Sequence, residues 1–391
     1  MILRKITLPL VLPAILSAVI LTFSKAIGTF GTINYLGSPV QYYTLSSQLY
    51  MNINSRDTQT GFAMAILMII IASIAVFVNQ KLIGSRKSYA TIGGKGGRST
   101  LIGLGKVGRP VITAALFVFF AVGIIMPIVI LVMESFMLKE GIYSLDNFTL
   151  HYWIGESNPQ IMEGLPGIFK NDEFINSLFN SLRLTLVNGV FGTIFGQLLG
   201  YITAKGRGRL HGKLVEQLVF IPYLIPSVAF GGIYLSMFSQ PQQIFGVTLV
   251  PALYGTFALL TLVSVVKHLP FAARAGTSNM LQISGELEEA ATIEGAGFFR
   301  RFVKIVFPLS KGGFISGFML IFVSIMKELD LIILIMTPTT STLPYLAFRY
   351  QNGNSPQASD CVAIVMFSIV FLVYAIANLS GKADLAKSMA G

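Results

Sequence analysis

Residues 286–308 read ELEEAATIEGAGFFRRFVKIVFP and lie in a long polar stretch between strongly apolar regions. The first nine of these residues are good helix formers. Ser284 stands just before them, where a side-chain oxygen can cap a helix. Gly295 can end that helix and turn the chain, and Pro308 suits the first turn of a following helix. The stretch therefore predicts a short polar helix, a turn and the entry into a second helix.

The chain around this stretch has the composition of a membrane protein. Of 391 residues, 53% are hydrophobic and 12% are charged, and mean hydropathy is +0.72, whereas soluble chains carry about 25% charged residues. A cytosolic enzyme and a disordered chain are therefore excluded, and the lone Cys361 excludes an internal disulfide. Stretches long enough to span a bilayer lie near 9–28, 61–79, 110–133, 175–203, 214–238, 252–266, 312–336 and 361–380. The alternative is buried helices of a large soluble core, which the polar loops between eight apolar stretches disfavour.

The positive charge lies on one side of these predicted spans. The net charge is +11, from 28 Lys and Arg against 17 Asp and Glu. If Met1 is cytoplasmic, 21 of the 28 cationic residues fall in cytoplasmic segments, and segment 137–174 on the other side is acidic. This asymmetry predicts a multi-pass membrane protein with both termini cytoplasmic. No nucleic-acid partner is then needed to explain the basic charge.

An internal repeat divides the chain. Shifted by 299 residues, segment 5–10 (KITLPL) falls on 304–309 (KIVFPL), and Pro39 falls on Pro338. Chance similarity of apolar helices is the alternative, but the shared prolines and loop lengths argue against it. The predicted organisation is described by three ranges: the last two helices of a first copy in 1–80, a basic, Gly-rich cytoplasmic linker in 81–109, and a complete six-helix second copy in 110–391.

Within 286–308, Glu289-Ala290-Ala291 is followed after three residues by Gly295, and after nine more by Ile305-Val306-Phe307-Pro308. This pattern resembles the EAA loop of ABC importer permeases, with Phe307 in place of the usual Leu. The resemblance implies an all-α polytopic membrane fold of the ABC importer permease (MetI-like) type, with about eight transmembrane helices. It also implies that the loop is a coupling helix that docks on a separate ATPase subunit. The alternative is a capped amphipathic helix on the membrane surface.

The first copy carries the end of the same motif. Ile6-Thr7-Leu8-Pro9 matches the closing Ile-x-x-Pro, so Met1 falls inside the first coupling loop and the four preceding helices are missing from this sequence. We expect a misassigned start, a split or interrupted gene, or a further chain that carries the missing helices.

The two-copy layout resembles iron(III)-type permeases and the related thiamine-type ones, as does the run Met326–Asp330. The resemblance implies a permease subunit of a bacterial cytoplasmic (inner) membrane that moves a small solute, iron(III) first, by alternating access. The permease itself would be no enzyme and would need no cofactor. The implied partners are ABC ATPase subunits (two), an external substrate-binding protein and membrane lipid. A permease for another solute, a secondary transporter and a non-functional fragment are the alternatives.

Charged residues near the seventh predicted span form a second candidate site. Lys327, Glu328 and Asp330 lie where charge is costly, so they are candidates for the translocation path. The alternative is a structural Lys327–Asp330 pair at i,i+3 on a helix. Residues 103–108 match G-x-G-x-x-G, but they lie in the basic linker rather than between a strand and a helix, so the match is rejected. The three histidines show no metal-site spacing.

Overall fold

The computed structural model describes residues 8–84, 103–161 and 164–379. These residues form α-helices and one hairpin, in the order α1 Leu8–Ile27, α2 Gly31–Gly37, α3 Leu45–Asn54, α4 Thr58–Gly84, α5 Gly105–Phe120, α6 Met126–Glu134, α7 His151–Ile154, α8 Asp172–Lys205, α9 Leu210–Leu224, α10 Ser227–Phe238, β1 Gln242–Ile244, β2 Val247–Val250, α11 Phe257–Met280, α12 Gly285–Ile293, α13 Phe298–Arg301, α14 Phe307–Leu309, α15 Lys311–Met326, α16 Leu343–Asn352 and α17 Pro356–Leu379. The predicted all-α polytopic class is confirmed, since the hairpin is the single sheet in the described residues.

Five helices in the described residues are long and apolar enough to cross a membrane, or seven if each of two bent pairs is one span. The bent pairs are α9 with α10, at 98°, and the Phe298–Leu309 helix with α15, at 76°. A π-helical turn joins α5 to α6 into one helix of 30 residues. None of the 18 residues in the most apolar stretch of this helix is buried. Helix α1 is a further, mostly apolar helix of 20 residues. The predicted number of eight spans stays a prediction.

Two predicted spans have the wrong ends. The span at 252–266 is the helix Phe257–Met280, which continues through Lys267 and His268, so these residues lie in a helix and not in a loop. The span at 312–336 ends as a helix at Met326. Residues 331–336 are buried but not helical, and 331–335 form turns. Hydropathy reports burial, and these six apolar residues are buried without being helical.

The centre of the bundle is the contact of α8 with α11 and α15. Gly196 and Gly200 of α8 face Ala272 and Gly276 of α11 so closely that a Cβ on Gly200 would lie 2.5 Å from the Gly276 carbonyl carbon. Small residues four apart let two membrane helices approach at the backbone. Helix α8 is thereby fixed against α11 along its second half.

The N-terminal helices α1 to α4 pack on the rest of the chain through α10. Phe30, Leu49 and Met68 share a buried core with Val228 of α10 and with Leu334. The elements of residues 8–84 recur near the C-terminus: α1 and α15 end 299 residues apart, and the starts of α3 and α16 keep that offset within one residue. This correspondence supports the proposed repeat. Helix α4 continues to Gly84 and α5 starts at Gly105, so the proposed linker 81–109 is helical at both edges, and 85–102 lie outside the described residues.

The bundle has two ends of opposite charge. At the end that we call the motif end, Lys205 of α8 contacts α12, and Arg207, Arg209, Arg300 and Lys304 lie in the adjoining segments. At 34 residues, α8 is about 50 Å long, so its start marks the far end. There Asp172 and Glu173 open α8, next to an acidic loop from Ser135 to Asn171.

Candidate functional site

Helix α12 is the short polar helix predicted from residues 286–294, and it spans Gly285–Ile293. The Ser284 side chain accepts a hydrogen bond from the Glu286 N–H at 3.3 Å, which confirms the predicted cap. Gly295 follows the helix with φ +78°, a conformation that costs a residue without Cβ little. The turn after Gly295 directs the chain into the helix Phe298–Leu309.

Two neighbouring glutamates of α12 face opposite ways. Glu288 is buried at 7% exposure, and its Oε1 lies 2.6 Å from Lys205 Nζ. The hydroxyl of Tyr201 donates to Glu288 Oε2 at 2.6 Å. Glu289 is exposed and makes no hydrogen bond or ion pair with any described residue. Glu288 therefore ties α12 to the end of α8, while Glu289 is available to another molecule.

The other side of α12 is tied to the helix that follows it. Arg301 donates to the Thr292 hydroxyl, and the rings of Phe298 and Phe302 lie 5.7 Å from that of Tyr201. Helix α12 is therefore tied both to α8 and to the Phe298–Leu309 helix.

The remaining residues of the predicted motif lie around this unit. Ala290, Gly295 and Pro308 are exposed, and Ala291 and Ile305 are half-buried. Ile305 lies in a π-helical turn, and Pro308 lies just before the 76° bend into α15. In the first copy, Pro9 lies in α1, and Ile6 lies outside the described residues.

A broken helix forms the second part of the site. The break between α9 and α10 falls at Ile225-Pro226, and it leaves the last carbonyls of α9 without helical donors. Lys267 of α11 supplies them: its Nζ donates to Pro222 O at 2.9 Å and to Ile225 O. Lys267 is thus buried, and its ammonium group replaces the helical donors that the break removes.

A cavity of about 230 Å³ lies beside this break. It is lined by the ends of α1 and α15, the α9–α10 break and the middle of α11, with the charged side chains Lys25, Lys267, Lys327 and Glu328. Lys25 and Ser324 both line it, and they are equivalent residues at the 299-residue offset of the predicted repeat. Equivalent residues of two related copies come together near the axis that relates them, which would place the cavity where the two proposed copies face each other.

The predicted candidates Lys327, Glu328 and Asp330 are separated by the end of α15. Glu328 faces His268, with 3.5 Å between Oε2 and Nε2, and its Oε1 accepts from the Leu331 N–H at 3.0 Å. The alternative of a helical Lys327–Asp330 pair is wrong, because the helix ends at Met326 and Lys327 forms no ion pair with a described residue. Lys327 and Glu328 line the cavity, whereas Asp330 does not.

Asp330 instead bonds the N-terminal segment to the C-terminal one. Its Oδ1 accepts from the Gly31 N–H at 2.9 Å, across 299 residues of sequence, which is the repeat offset itself. A second pair of equivalent positions therefore meets beside the cavity. Sequence reasoning missed Lys267 and His268 because the predicted span 252–266 ends just before them, and it did not single out Lys25. The prolines at 222 and 226 are the signal that could have located the break.

The far end is closed by ion pairs rather than by apolar packing alone. Arg349 of α16 pairs with Glu173 at the start of α8. In the loop before α8, the hydrogen bond and the charge of Lys170 lower the pKa of the Glu156 carboxyl. The Asn171 side chain donates to the buried Tyr350 hydroxyl at 3.0 Å. These contacts order the loop segment that covers this end of the bundle.

Comparison with known families matches the chain to one family model. The model is described as "Binding-protein-dependent transport system inner membrane component", and it matches residues 1–89 and 192–383. These ranges make up more than half of the chain, and the second one contains α12, the broken helix and most of the cavity.

Individual relatives are distant in sequence. The ferric transport system permease protein FbpB of Actinobacillus pleuropneumoniae is 22% identical over 98% of this chain and 53% of its own length. The chain thus spans about half the length of that relative. The sulfate transport system permease protein CysT of Synechocystis sp. is 26% identical over 52% of this chain and 71% of its own length.

A solved structure has a similar fold. A chain of a bacterial ABC transporter involved in the import of the acidic polysaccharide alginate superposes with a TM-score of 0.54 and 16% identity. The match covers 69% of this chain and 94% of that chain. At this identity the likeness shows the fold alone.

Proposed function

The chain belongs to the family of binding-protein-dependent transport system inner membrane components, and we propose that it is the membrane-spanning permease subunit of an ATP-driven importer for a small solute. ATP would be hydrolysed on separate subunits, two of them by the family's layout. An external binding protein would deliver the solute. The secondary-transporter alternative does not fit this family, because its members work with a binding protein.

The outward face of α12 is the observation that carries this proposal. Glu289 and Ala290 are exposed, while Glu288 and Thr292 hold the same helix to α8 and α13. A short helix fixed on one face and free on the other is suited to receive a partner and pass its movement on. The basic segments beside it favour the motif end as the cytoplasmic side.

A direct structural route connects α12 to the cavity. Helix α11 ends at Met280, shortly before α12, and Lys267 lies 13 residues earlier on it, about 20 Å away. The Phe298–Leu309 helix leads into α15, which ends at the cavity with Ser324. When ATPase subunits close and draw α12 with them, both helices would carry that movement to the cavity walls. Solute and ATP then act through their different affinities for the two states of the cavity.

Iron(III) is the solute that we propose first. The ferric relative from Actinobacillus pleuropneumoniae matches 98% of this chain, and another ferric relative, from Haemophilus influenzae, matches 92%. The sulfate relative matches about half of the chain. This fuller coverage supports the two-copy layout that we propose, with 1–80 in a first copy and 110–391 in a second.

Exchange of Glu289 for Lys tests the docking. We expect Glu289→Lys to reduce the ATP-hydrolysing activity that co-purifies with the tagged chain from its native membranes by at least tenfold, since reversing a charge inside a docked interface costs more than about 1.4 kcal/mol. The measurement is ATPase activity per mole of purified chain.

The matched control is Glu140→Lys, an exposed acid in the far-end loop. It should leave the co-purifying activity unchanged. Equal activity in the Glu289→Lys variant and the unmodified chain would contradict docking at α12.

A further inference from the structure

We propose that the cavity beside the α9–α10 break takes the solute as an anion. The proposal rests on the proposed function, because it concerns the solute path of the importer. The ligand chemistry is that of anionic oxygens, either a tetrahedral oxyanion or the carboxylate shell of a ferric complex. A bare ferric ion would not be held there.

The charges that line the cavity are mainly positive. Lys25, Lys267 and Lys327 face it, and Glu328 is the carboxylate in its lining. Glu328 is already engaged by His268 and by the Leu331 N–H. The nearby Asp330 accepts from Gly31, and the charge of Lys25 acts on its carboxylate without an ion pair. In a cavity of low dielectric, such an imbalance attracts an anion more strongly than it would in water.

Two of the lysines are free to meet a ligand. The Lys267 ammonium group is committed to the carbonyls of Pro222 and Ile225, so its role is to hold the break. Lys25 and Lys327 form no ion pair within the described part of the chain, and both are exposed to the cavity side. They come from α1 and from the end of α15, one from each proposed copy.

The α10 helix adds a positive end to the same space. Ser227 begins this helix of 12 residues and lines the cavity, and no side chain caps its N-terminus. The amide N–H groups of a first helical turn lack partners within the helix, and they favour negative charge. Broken helices in transporters present such ends to anionic groups of their substrates.

A multivalent cation finds no matching set of ligands. Among the described residues, no group of three or more His, Cys, Asp or Glu side chains is placed to hold a metal ion. A trivalent ion stripped of water needs several carboxylates around it to offset the cost of its desolvation. Iron would therefore have to cross with its ligands still bound and with a net negative charge.

The reactivity of a thiol placed in the cavity reports the sign of the electrostatic potential there. Cys361 is fully buried, so in a Ser324→Cys variant the reaction of small methanethiosulfonate reagents reports position 324. Rates are measured on the purified full chain with an anionic sulfonate reagent and a cationic trimethylammonium reagent, each relative to its rate with free cysteine. We expect about a tenfold preference for the anionic reagent. Adding Lys25→Gln and Lys327→Gln should bring the preference close to one, whereas Lys139→Gln, in the far-end loop, should not change it.

Salt and added anions complete the test without further variants. Raising ionic strength should reduce the preference of the Ser324→Cys chain, because salt screens the lysines. Protection of the thiol by molybdate indicates an oxyanion site, and protection by ferric citrate indicates a ferric complex. Equal or faster reaction with the cationic reagent would overturn the proposal, and so would no reaction with either reagent. Failure of both molybdate and ferric citrate to protect the thiol would also overturn it. If no ATPase activity co-purifies with the unmodified chain, the permease assignment is overturned instead. The two failures are distinguishable because reagent preference is measured on the isolated chain.

Discussion

At the scale of single residues, the two glutamates at 288 and 289 divide the work of α12. Glu288 points inward to Lys205 and Tyr201 at 2.6 Å each, and Glu289 points to solvent. Removing a buried charged partner leaves other polar groups unsatisfied and costs about 1–3 kcal/mol. Removing an exposed carboxylate without a partner leaves nothing unsatisfied.

We therefore predict that Glu288→Ala loosens α12, while Glu289→Ala does not. Amide hydrogen exchange of residues 285–293 should accelerate by about tenfold in the Glu288→Ala chain, the equivalent of about 1.4 kcal/mol of local stability. The adjacent Glu289→Ala variant is the control and should exchange at the rate of the unmodified chain. Equal exchange in the two variants would show that Glu288 does not hold the helix.

The motif spacing predicted α12, its Ser284 cap and its end at Gly295, because local propensity and capping decide these features. The direction of Glu288 and Glu289 depends on Lys205 and Tyr201, which are more than 80 residues away in sequence. That long-range contact has no local signal. The roles proposed for Glu289, Gly295 and the other motif residues stay predictions.

At the scale of elements, hydropathy predicts a helix end too early where polar residues lie inside the helix. The predicted span 252–266 stopped before Lys267 and His268, yet α11 continues to Met280. Both side chains are buried with partners, Lys267 on the α9 carbonyls and His268 against Glu328. A buried polar group that finds such partners does not end a membrane helix. The partners lie on other elements, so sequence alone could not supply them.

The close contact of α8 with α11 gives a prediction about packing. A Cβ on Gly200 would lie 2.5 Å from backbone atoms of Gly276 and Thr277, which cannot move without separating the helices. We expect Gly200→Ala to destabilise the chain by about 1–3 kcal/mol, seen as a lower melting temperature in detergent.

Gly312→Ala is the control for that experiment. Gly312 also lies in a helix, α15, but no atom lies within 4 Å of its added Cβ. Its melting temperature should stay the same or rise slightly, because Ala is the better helix former. A Gly200→Ala chain as stable as the Gly312→Ala chain would contradict close packing of α8 on α11.

At the scale of the whole molecule, equivalent positions of the proposed copies meet at the cavity. Gly31 and Asp330 are joined by a hydrogen bond, and Lys25 and Ser324 line the same space. Helix α10 packs between the N-terminal helices and the rest of the chain. The repeat could be proposed from the sequence because Pro39 and Pro338 and the loop lengths recur. The contact between the proposed copies could not be predicted from the sequence, because a repeat offset does not say which residues lie close together in the folded chain.

The central claim is that α12 receives an ATPase subunit, and a cross-link from Ala290 tests it most directly. Ala290 is exposed on α12, and the native Cys361 is fully buried, so an Ala290→Cys variant can carry a thiol-linked photo-cross-linker at one site. The reaction is carried out in native membranes, and the attached protein is identified by mass spectrometry. We predict that the Ala290→Cys chain captures a protein with a nucleotide-binding P-loop and that a Ser144→Cys chain, labelled in the far-end loop, does not. An Ala290→Cys chain that captures no P-loop protein, or a Ser144→Cys chain that captures it equally well, would contradict the account.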